Sequence, residues 1–467
     1  MFSFLAIQAI SFLSIPIFTK LLSPADFGIY EVFNNTVRFL TVIISLNLYT
    51  GFYRYYFEDK ALKQELMQFL LRLSFIVFVL FAILLFLFKP YLMSLANLPN
   101  DVFIWIIISI FSSIALNFFT TYNNAQQFST RAGIWQLVIQ ILKVIFSVIF
   151  ILFFSKNYLG RIVGENGIVF IITLIVIVIY FRKYVGWSEK LTNKKEIIKY
   201  STGFIPIGLS SYIISYIDLL LINNIQGNTA SGVYSYAYKF AIVFAGFSQA
   251  FVTANRPELF NLLQENKEQA VIEQMRSMFK LITVMACVFI LFASDAGKIL
   301  SFKKEFEEAL YLLPILIIGY VFSEMAEIYN FFLYHSKKVK LFYVSFAVTA
   351  VINFVLNLIL IPKYGYEIAA YTTVVSYCFL FLATYVVSKF YTNLSVPRWT
   401  IYADYLLIIF TTAILGYVIN RYIDSIYIVV LLKLILLSIA IIYIFYSKII
   451  NLIKTRSSQS LTLFKKE

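Results

Sequence analysis

Long apolar runs, each near the length that crosses a bilayer, constrain this chain more than any other feature. Fourteen can be read, at 2–19, 29–50, 69–88, 102–122, 133–154, 162–181, 201–222, 232–253, 277–294, 309–332, 341–361, 367–388, 401–420 and 426–447. A membrane helix needs about 20 apolar residues. Inside lipid a spanning segment must satisfy its own backbone hydrogen bonds, so single apolar runs fold as helices. The fold class is an all-α integral membrane protein with about 14 transmembrane helices. Composition agrees, with 61% hydrophobic and 13% charged residues, against about 25% charged in a soluble domain. The run 309–332 is softened by Glu324 and Glu327, and the run 232–253 by Lys239.

The net charge of +14 does not indicate a nucleic-acid partner. Most of the Lys and Arg sit in short loops between apolar runs, where they report topology. With the N-terminus in the cytoplasm, the inner loops and tail hold the larger share, including Arg182, Lys183, Lys190, Lys194, Lys195 and Lys199 in one loop and Lys337, Lys338 and Lys340 in another. This places both termini on the cytoplasmic side. The inner segments 182–200 and 255–276 read as surface helices or linkers. Cys287 and Cys378 both lie in apolar runs and His335 is the single histidine, so no disulfide framework, metal or cofactor is expected. No basic region precedes the apolar run from Met1 to Thr19, so that run reads as a first membrane helix rather than a cleaved signal.

The second run carries a polar stripe. After the turn Ser23-Pro24-Ala25-Asp26-Phe27-Gly28, the residues Glu31, Asn34, Asn35, Arg38, Thr41 and Ser45 recur at steps of three and four, which is one face of a helix. A charge at the bilayer centre costs about 2.5–3.5 kcal/mol, so this face is expected to meet protein or water. Similar stripes are Gln136, Gln140, Lys143 and Ser147; Ser211, Ser215 and Asp218; Lys239, Gly246, Gln249, Thr253 and Arg256; and Ser345, Thr349, Asn353 and Asn357. Together they predict a polar cavity within a helix bundle.

The chain also repeats itself. Asp26-Phe27-Gly28-Ile29-Tyr30 opens the second run and Ala230-Ser231-Gly232-Val233-Tyr234 opens the eighth, 204 residues later. Arg131 and Lys338, and Lys156 and Lys363, match at an offset of 207. Six spans separate the partners, so the halves share one orientation. Parallel repeats of this kind are a transporter arrangement with the site between the halves.

With these motifs the sequence resembles the polysaccharide transporter family, the O-antigen and capsule flippases of the multidrug/oligosaccharidyl-lipid/polysaccharide exporter superfamily. The resemblance covers nearly the whole chain. It rests on Leu21 to Tyr30, on Phe204-Ile205-Pro206 with Ile217-Asp218, on Gly232-Val233-Tyr234-Ser235 through Tyr238-Lys239, on Tyr311-Leu312-Leu313-Pro314, and on Tyr364-Gly365-Tyr366-Glu367-Ile368-Ala369-Ala370. Glu367 departs from the small or apolar residue common there. The resemblance implies two six-helix bundles, 1–199 and 200–392, forming a V around a central cavity, with a terminal helix pair and cytoplasmic tail at 393–467. It implies movement of an undecaprenyl-diphosphate-linked oligosaccharide from the inner to the outer leaflet of a bacterial or archaeal plasma membrane. A polysaccharide polymerase would be a downstream partner.

A lipid-linked sugar crosses slowly because its polar groups must leave water, so a flippase needs a hydrated groove with cations for the diphosphate. Arg54 and Arg256, past the inner ends of their spans at nearly equivalent repeat positions, are the candidates for a diphosphate clamp, since a guanidinium fork matches phosphate oxygens. Arg38, Lys143 and Lys239 are candidates deeper in. Asn34, Asn35, Gln136, Gln140 and Gln249 are the glycan-contact candidates, and Asp218, Glu324 and Glu327 the candidates to couple H+ or Na+. Each has a plainer alternative. Arg54 and Arg256 fit positive-inside anchors. Arg38 would be neutralised by Glu31 or Asp218, the acids would partner nearby cations, and Lys433 reads as a packing feature. No Gly-rich phosphate loop is present, and short outer loops without clustered acids or His argue against a membrane polymerase or ligase, so the chain is not read as an enzyme. The rivals kept open are a peptidoglycan-precursor flippase and a drug/cation antiporter of the same superfamily.

Overall fold

The computed structural model describes residues 2–58, 63–184, 191, 193–423 and 425–463; Met1 and Lys190 lie outside them. The described residues build helices without a strand. In order these are α1 (Phe2–Leu13), α2 (Ile15–Leu21), α3 (Pro24–Ile44), α4 (Leu48–Tyr55), α5 (Lys63–Leu87), α6 (Lys89–Leu95), α7 (Phe103–Ala125), α8 (Ser129–Phe153) and α9 (Asn157–Val176). There follow α10 (Lys194–Thr202), α11 (Ile205–Gln226), α12 (Asn228–Gln264), α13 (Glu268–Leu300), α14 (Leu313–His335), α15 (Val339–Tyr364), α16 (Ile368–Tyr391), α17 (Ala403–Tyr422) and α18 (Ile426–Leu463).

Twelve helical segments among the described residues are long and apolar enough to cross a bilayer, and they coincide with the last twelve of the fourteen runs. The first two runs fold differently. Run one is broken at Ser14 into α1 and α2, with Pro16 in the first turn of α2, where its missing N–H costs least. Run two begins as α3, which is 21 residues long and whose polar stripe dilutes its apolar character. It then breaks at Leu46 and Asn47, whose φ angles of 48° and 51° are left-handed, before α4 resumes. The segment 255–276, expected to be a surface helix or linker, is the end of α12 and the start of α13, with Pro257 inside α12. At 37 residues, α12 is about 55 Å long at 1.5 Å per residue, against about 30 Å of hydrocarbon. It therefore continues beyond the membrane.

The start of α3 is set by its sequence. Ser23 Oγ accepts from the Asp26 amide at 3.1 Å, and Asp26 Oδ2 accepts in return from the Ser23 amide at 3.1 Å. This reciprocal cap satisfies two orphan amides, and Pro24 sits where its lost N–H is harmless.

Backbone proximity groups the chain into two compact units, 1–239 with 298–310 and 343–376, and 240–297 with 311–342 and 377–467. In the first, α3 lies against α11, α7 and α9, and α8 pairs with α9. Two close helix crossings shape this unit. Gly160 and Gly164, a small-xxx-small pair, let α9 touch α8: a Cβ on Gly164 would fall 2.4 Å from the Phe146 carbonyl oxygen. Gly28 and Gly232 do the same for α3 and the start of α12, where a Cβ on Gly232 would lie 1.8 Å from the Pro24 oxygen. The two glycines matched by the internal repeat are thus brought face to face. In the second unit the core gathers around Tyr402, whose ring lies 4.4 Å from Phe279 and 6.1 Å from Tyr329.

Candidate functional site

In the first unit Arg38, Lys239 and Asp218 gather around α3, α11 and the start of α12, and Lys143 joins a second cluster. Along α3 the stripe divides by burial. Asn35 is 3% exposed and Thr41 and Ser45 are buried, whereas Glu31 and Asn34 are half-buried and Arg38 is exposed. Asn35 therefore sits on the packed side of the helix. Thr41 turns its hydroxyl back to the Val37 carbonyl at 2.7 Å.

The partners of Arg38 differ from both expected neutralisers. Glu31 pairs with Lys239 at 2.8 Å. Asp218 is held by the Tyr234 hydroxyl at 2.7 Å and the Leu219 amide at 2.8 Å. Arg38 instead donates from Nη1 to the Tyr216 hydroxyl at 2.7 Å. Among the described ionic contacts it has no carboxylate partner. Its guanidinium is thus a cation on α3 whose charge is not cancelled by a contacting anion.

The second cluster links α3, α8 and α9. Lys143 pairs with Glu165 at 2.9 Å, and the Tyr30 hydroxyl donates to the other oxygen of that carboxylate. One turn earlier on α9, Arg161 is 5% exposed and caged by aromatic rings, with its guanidinium carbon 3.4 Å from the Tyr30 centroid and 3.8 Å from that of Phe18. Such stacking suits a weakly hydrated guanidinium. Sequence reasoning missed Glu165 and Arg161. The signal was present: a lone carboxylate inside the sixth run, with Gly160 and Gly164 flanking the arginine. On α8, Gln140 donates to Ser11 Oγ at 3.0 Å and Gln136 reaches Thr120 at 3.4 Å, so both amides contact neighbouring helices. Arg54 is exposed at the end of α4 and pairs with Glu58 at 3.2 Å.

The second unit holds Arg256, Glu324, Glu327, Gln249 and Lys433. Arg256 meets Glu327 at 3.7 Å and lies 5.0 Å from the Phe331 ring, while Asn330 donates to the other Glu327 oxygen at 2.7 Å. Glu324 is 5% exposed; one oxygen accepts from Ser248 at 2.8 Å and the other has no hydrogen-bond partner. Gln249 is exposed. Lys433 is fully buried and paired with Asp295 at 2.6 Å, which fastens α18 to α13.

Carboxylates therefore contact four of the five candidate cavity cations: Lys143, Lys239, Arg54 and Arg256. Arg38 is the exception.

A family model described as polysaccharide biosynthesis protein matches residues 1–263. The chain belongs to that family. Over 188 residues it is 26% identical to the probable low-salt glycan biosynthesis flippase Agl15 of Haloferax volcanii. The chain spans 40% of the length of that curated relative, and the same stretch is 40% of this chain. The architecture of this family member is shared with solved transporters. It superposes on the lipid II flippase MurJ in an inward closed conformation with a TM-score of 0.68 at 14% identity, over 95% of this chain and 99% of that one. It superposes on an inward-facing multidrug resistance transporter of the MOP superfamily at 0.64 and 12% identity, over 82% and 94%. At such identities the likeness establishes the fold alone: this is a multi-pass helical membrane protein whose helices are arranged as in those two structures.

Proposed function

We propose that the protein is a flippase for lipid-linked oligosaccharides. In this reading it carries an undecaprenyl-diphosphate-linked repeat unit from the inner to the outer leaflet by alternating access, for assembly of a surface polysaccharide of the O-antigen or capsule kind. The observation that carries the reading is Arg38. A cation within a helix bundle calls for a counter-charge, and among the described ion pairs no carboxylate contacts this one, which suits it to an anion that arrives from outside the protein. A diphosphate matches that charge and the fork geometry of a guanidinium. The family description supplies the glycan side of the reading.

The same observation argues against a drug/cation antiporter. Such a site needs free acidic groups, and here Glu31, Glu165 and Glu327 are each held by a cation and Asp218 by two donors, which leaves Glu324 alone among the candidate acids with a free oxygen. Glu324, with an unpartnered oxygen, is our candidate for any coupled H+ or Na+. A peptidoglycan-precursor flippase is the second reading, favoured by the extent of the MurJ superposition and sharing the diphosphate chemistry.

The test is transport by the wild-type protein in proteoliposomes. Three cargoes are offered separately: a fluorescent undecaprenyl-diphosphate-linked oligosaccharide, a fluorescent peptidoglycan-precursor lipid, and an organic cation. The proposal expects the first to cross fastest. Preferred movement of the precursor lipid transfers the reading to peptidoglycan, and cation movement against H+ or Na+ overturns it.

A further inference from the structure

The contacts around Arg38 extend beyond an anion site. Its partner Tyr216 is half-buried on α11 and heads a ladder of rings: Tyr216 to Tyr212 at 5.7 Å between centroids, and Tyr212 to Phe39 of α3 at 5.1 Å. The planes are tilted by 37° and 44°, so the rings lean on one another and hold Tyr216 in place. The guanidinium carbon lies 5.2 Å from the Tyr216 centroid and bonds its hydroxyl. It therefore reaches both the ring and its hydroxyl. On the same helix Ser211 is exposed and Ser215 half-buried, and Tyr212, only 4% exposed, has a hydroxyl without a hydrogen-bond partner. An unsatisfied buried hydroxyl is rarely retained without a use.

A cation and an aromatic ring are thus set side by side between α3 and α11, with the serines of α11 on the same helix as the ring. A pyranose has an apolar face of C–H groups that settles on the electron-rich face of an aromatic ring, and a rim of hydroxyls that need polar partners. A diphosphate esterified to that sugar places its charge next to the ring.

We propose that Tyr216, braced by Tyr212 and Phe39, is the seat of the sugar joined directly to the diphosphate, and that Arg38 holds the adjoining phosphate. This rests on the flippase reading and adds a specificity residue to it: Tyr216 distinguishes a glycosylated polyprenyl diphosphate from a bare one. The hydroxyl of Tyr216 positions Arg38, and the ring carries the sugar.

The experiment measures binding of undecaprenyl-diphosphate-linked oligosaccharide and of undecaprenyl diphosphate to the full-length protein in nanodiscs, for wild type, Tyr216→Phe, Tyr216→Leu and Arg38→Ala. Wild type is expected to prefer the glycosylated lipid by about tenfold, the scale of one aromatic contact. Tyr216→Phe keeps most of that preference, and Tyr216→Leu abolishes it while still binding the bare lipid, which shows that the variant is folded. Arg38→Ala weakens both lipids together. A Tyr216→Leu protein that retains the full preference overturns the sugar seat and leaves the flippase reading standing. A wild type that binds neither lipid overturns both.

Discussion

A cation inside a helix bundle needs a counter-charge or water, and Lys143 and Lys239 answer that need differently from Arg38. Lys143 and Lys239 meet carboxylates at 2.9 and 2.8 Å, whereas Arg38 meets a phenol. The paired groups are expected to behave as units. Removing one member leaves the other uncompensated, at a cost of about 3 kcal/mol, while removing both is close to neutral. Thermal unfolding in detergent should therefore show Lys143→Met and Glu165→Gln each destabilising, and the double variant recovering most of the loss. Additive losses would mean that the pair contributes nothing as a pair. The stripe on α3 was legible in the sequence because it needs only helical periodicity. The choice of partners was not. Glu31 finds Lys239 on α12 and Tyr30 finds Glu165 on α9, pairings that tertiary packing decides. The sequence offered Glu31 to Arg38 as an equally good neighbour two turns away, and Asp218 likewise; the structure gives both to other groups.

Among the elements, α3 shows what local chemistry can and cannot specify. Its start is written into Ser23-Pro24-Ala25-Asp26, whose reciprocal cap the structure retains. Its end is hidden: the left-handed Leu46 and Asn47 involve no Gly or Pro to announce the break, so an uninterrupted run to residue 50 was the natural reading. The twelve later spans were plain because apolar length alone marks them. The crossing of α3 with α12 was foreshadowed by the repeat, though nothing in the sequence said that Gly28 and Gly232 would touch. Two substitutions separate these contributions. Ser23→Ala should cost about 1 kcal/mol, the worth of a cap. Gly232→Val places a side chain where a Cβ already lies 1.8 Å from a carbonyl oxygen, and should cost about 3 kcal/mol or prevent folding. Thermal stability in detergent ranks the two, and a Gly232→Val protein as stable as Ser23→Ala would show that the close crossing is dispensable.

For the whole molecule, the question is how an anionic headgroup crosses the membrane. If the diphosphate moves while Arg38 stays with the protein, an inside-negative potential favours outward movement by about 2.3 kcal/mol per charge per 100 mV. Flipping in vesicles should then speed up with an imposed potential and no ion gradient; a rate indifferent to potential but dependent on H+ or Na+ would place the driving force at an acid such as Glu324. The class of the molecule followed from its apolar runs, and the family from a resemblance in short motifs spread along the chain; both survive without knowledge of any contact. The proposed anion site followed only in part: Arg38 was one of five candidate cations, and its lack of a contacting carboxylate shows only in the structure. The central claim is therefore tested most directly by the flipping rate of a fluorescent undecaprenyl-diphosphate-linked oligosaccharide in proteoliposomes. It is compared between wild type, Arg38→Ala, and the double variant Lys143→Met with Glu165→Gln. The account predicts that Arg38→Ala slows flipping by about ten- to a hundredfold, the loss of one charge-assisted contact, and that the double variant flips at nearly the wild-type rate. A normal rate in Arg38→Ala, with the loss falling on the Lys143 and Glu165 variant, would contradict it.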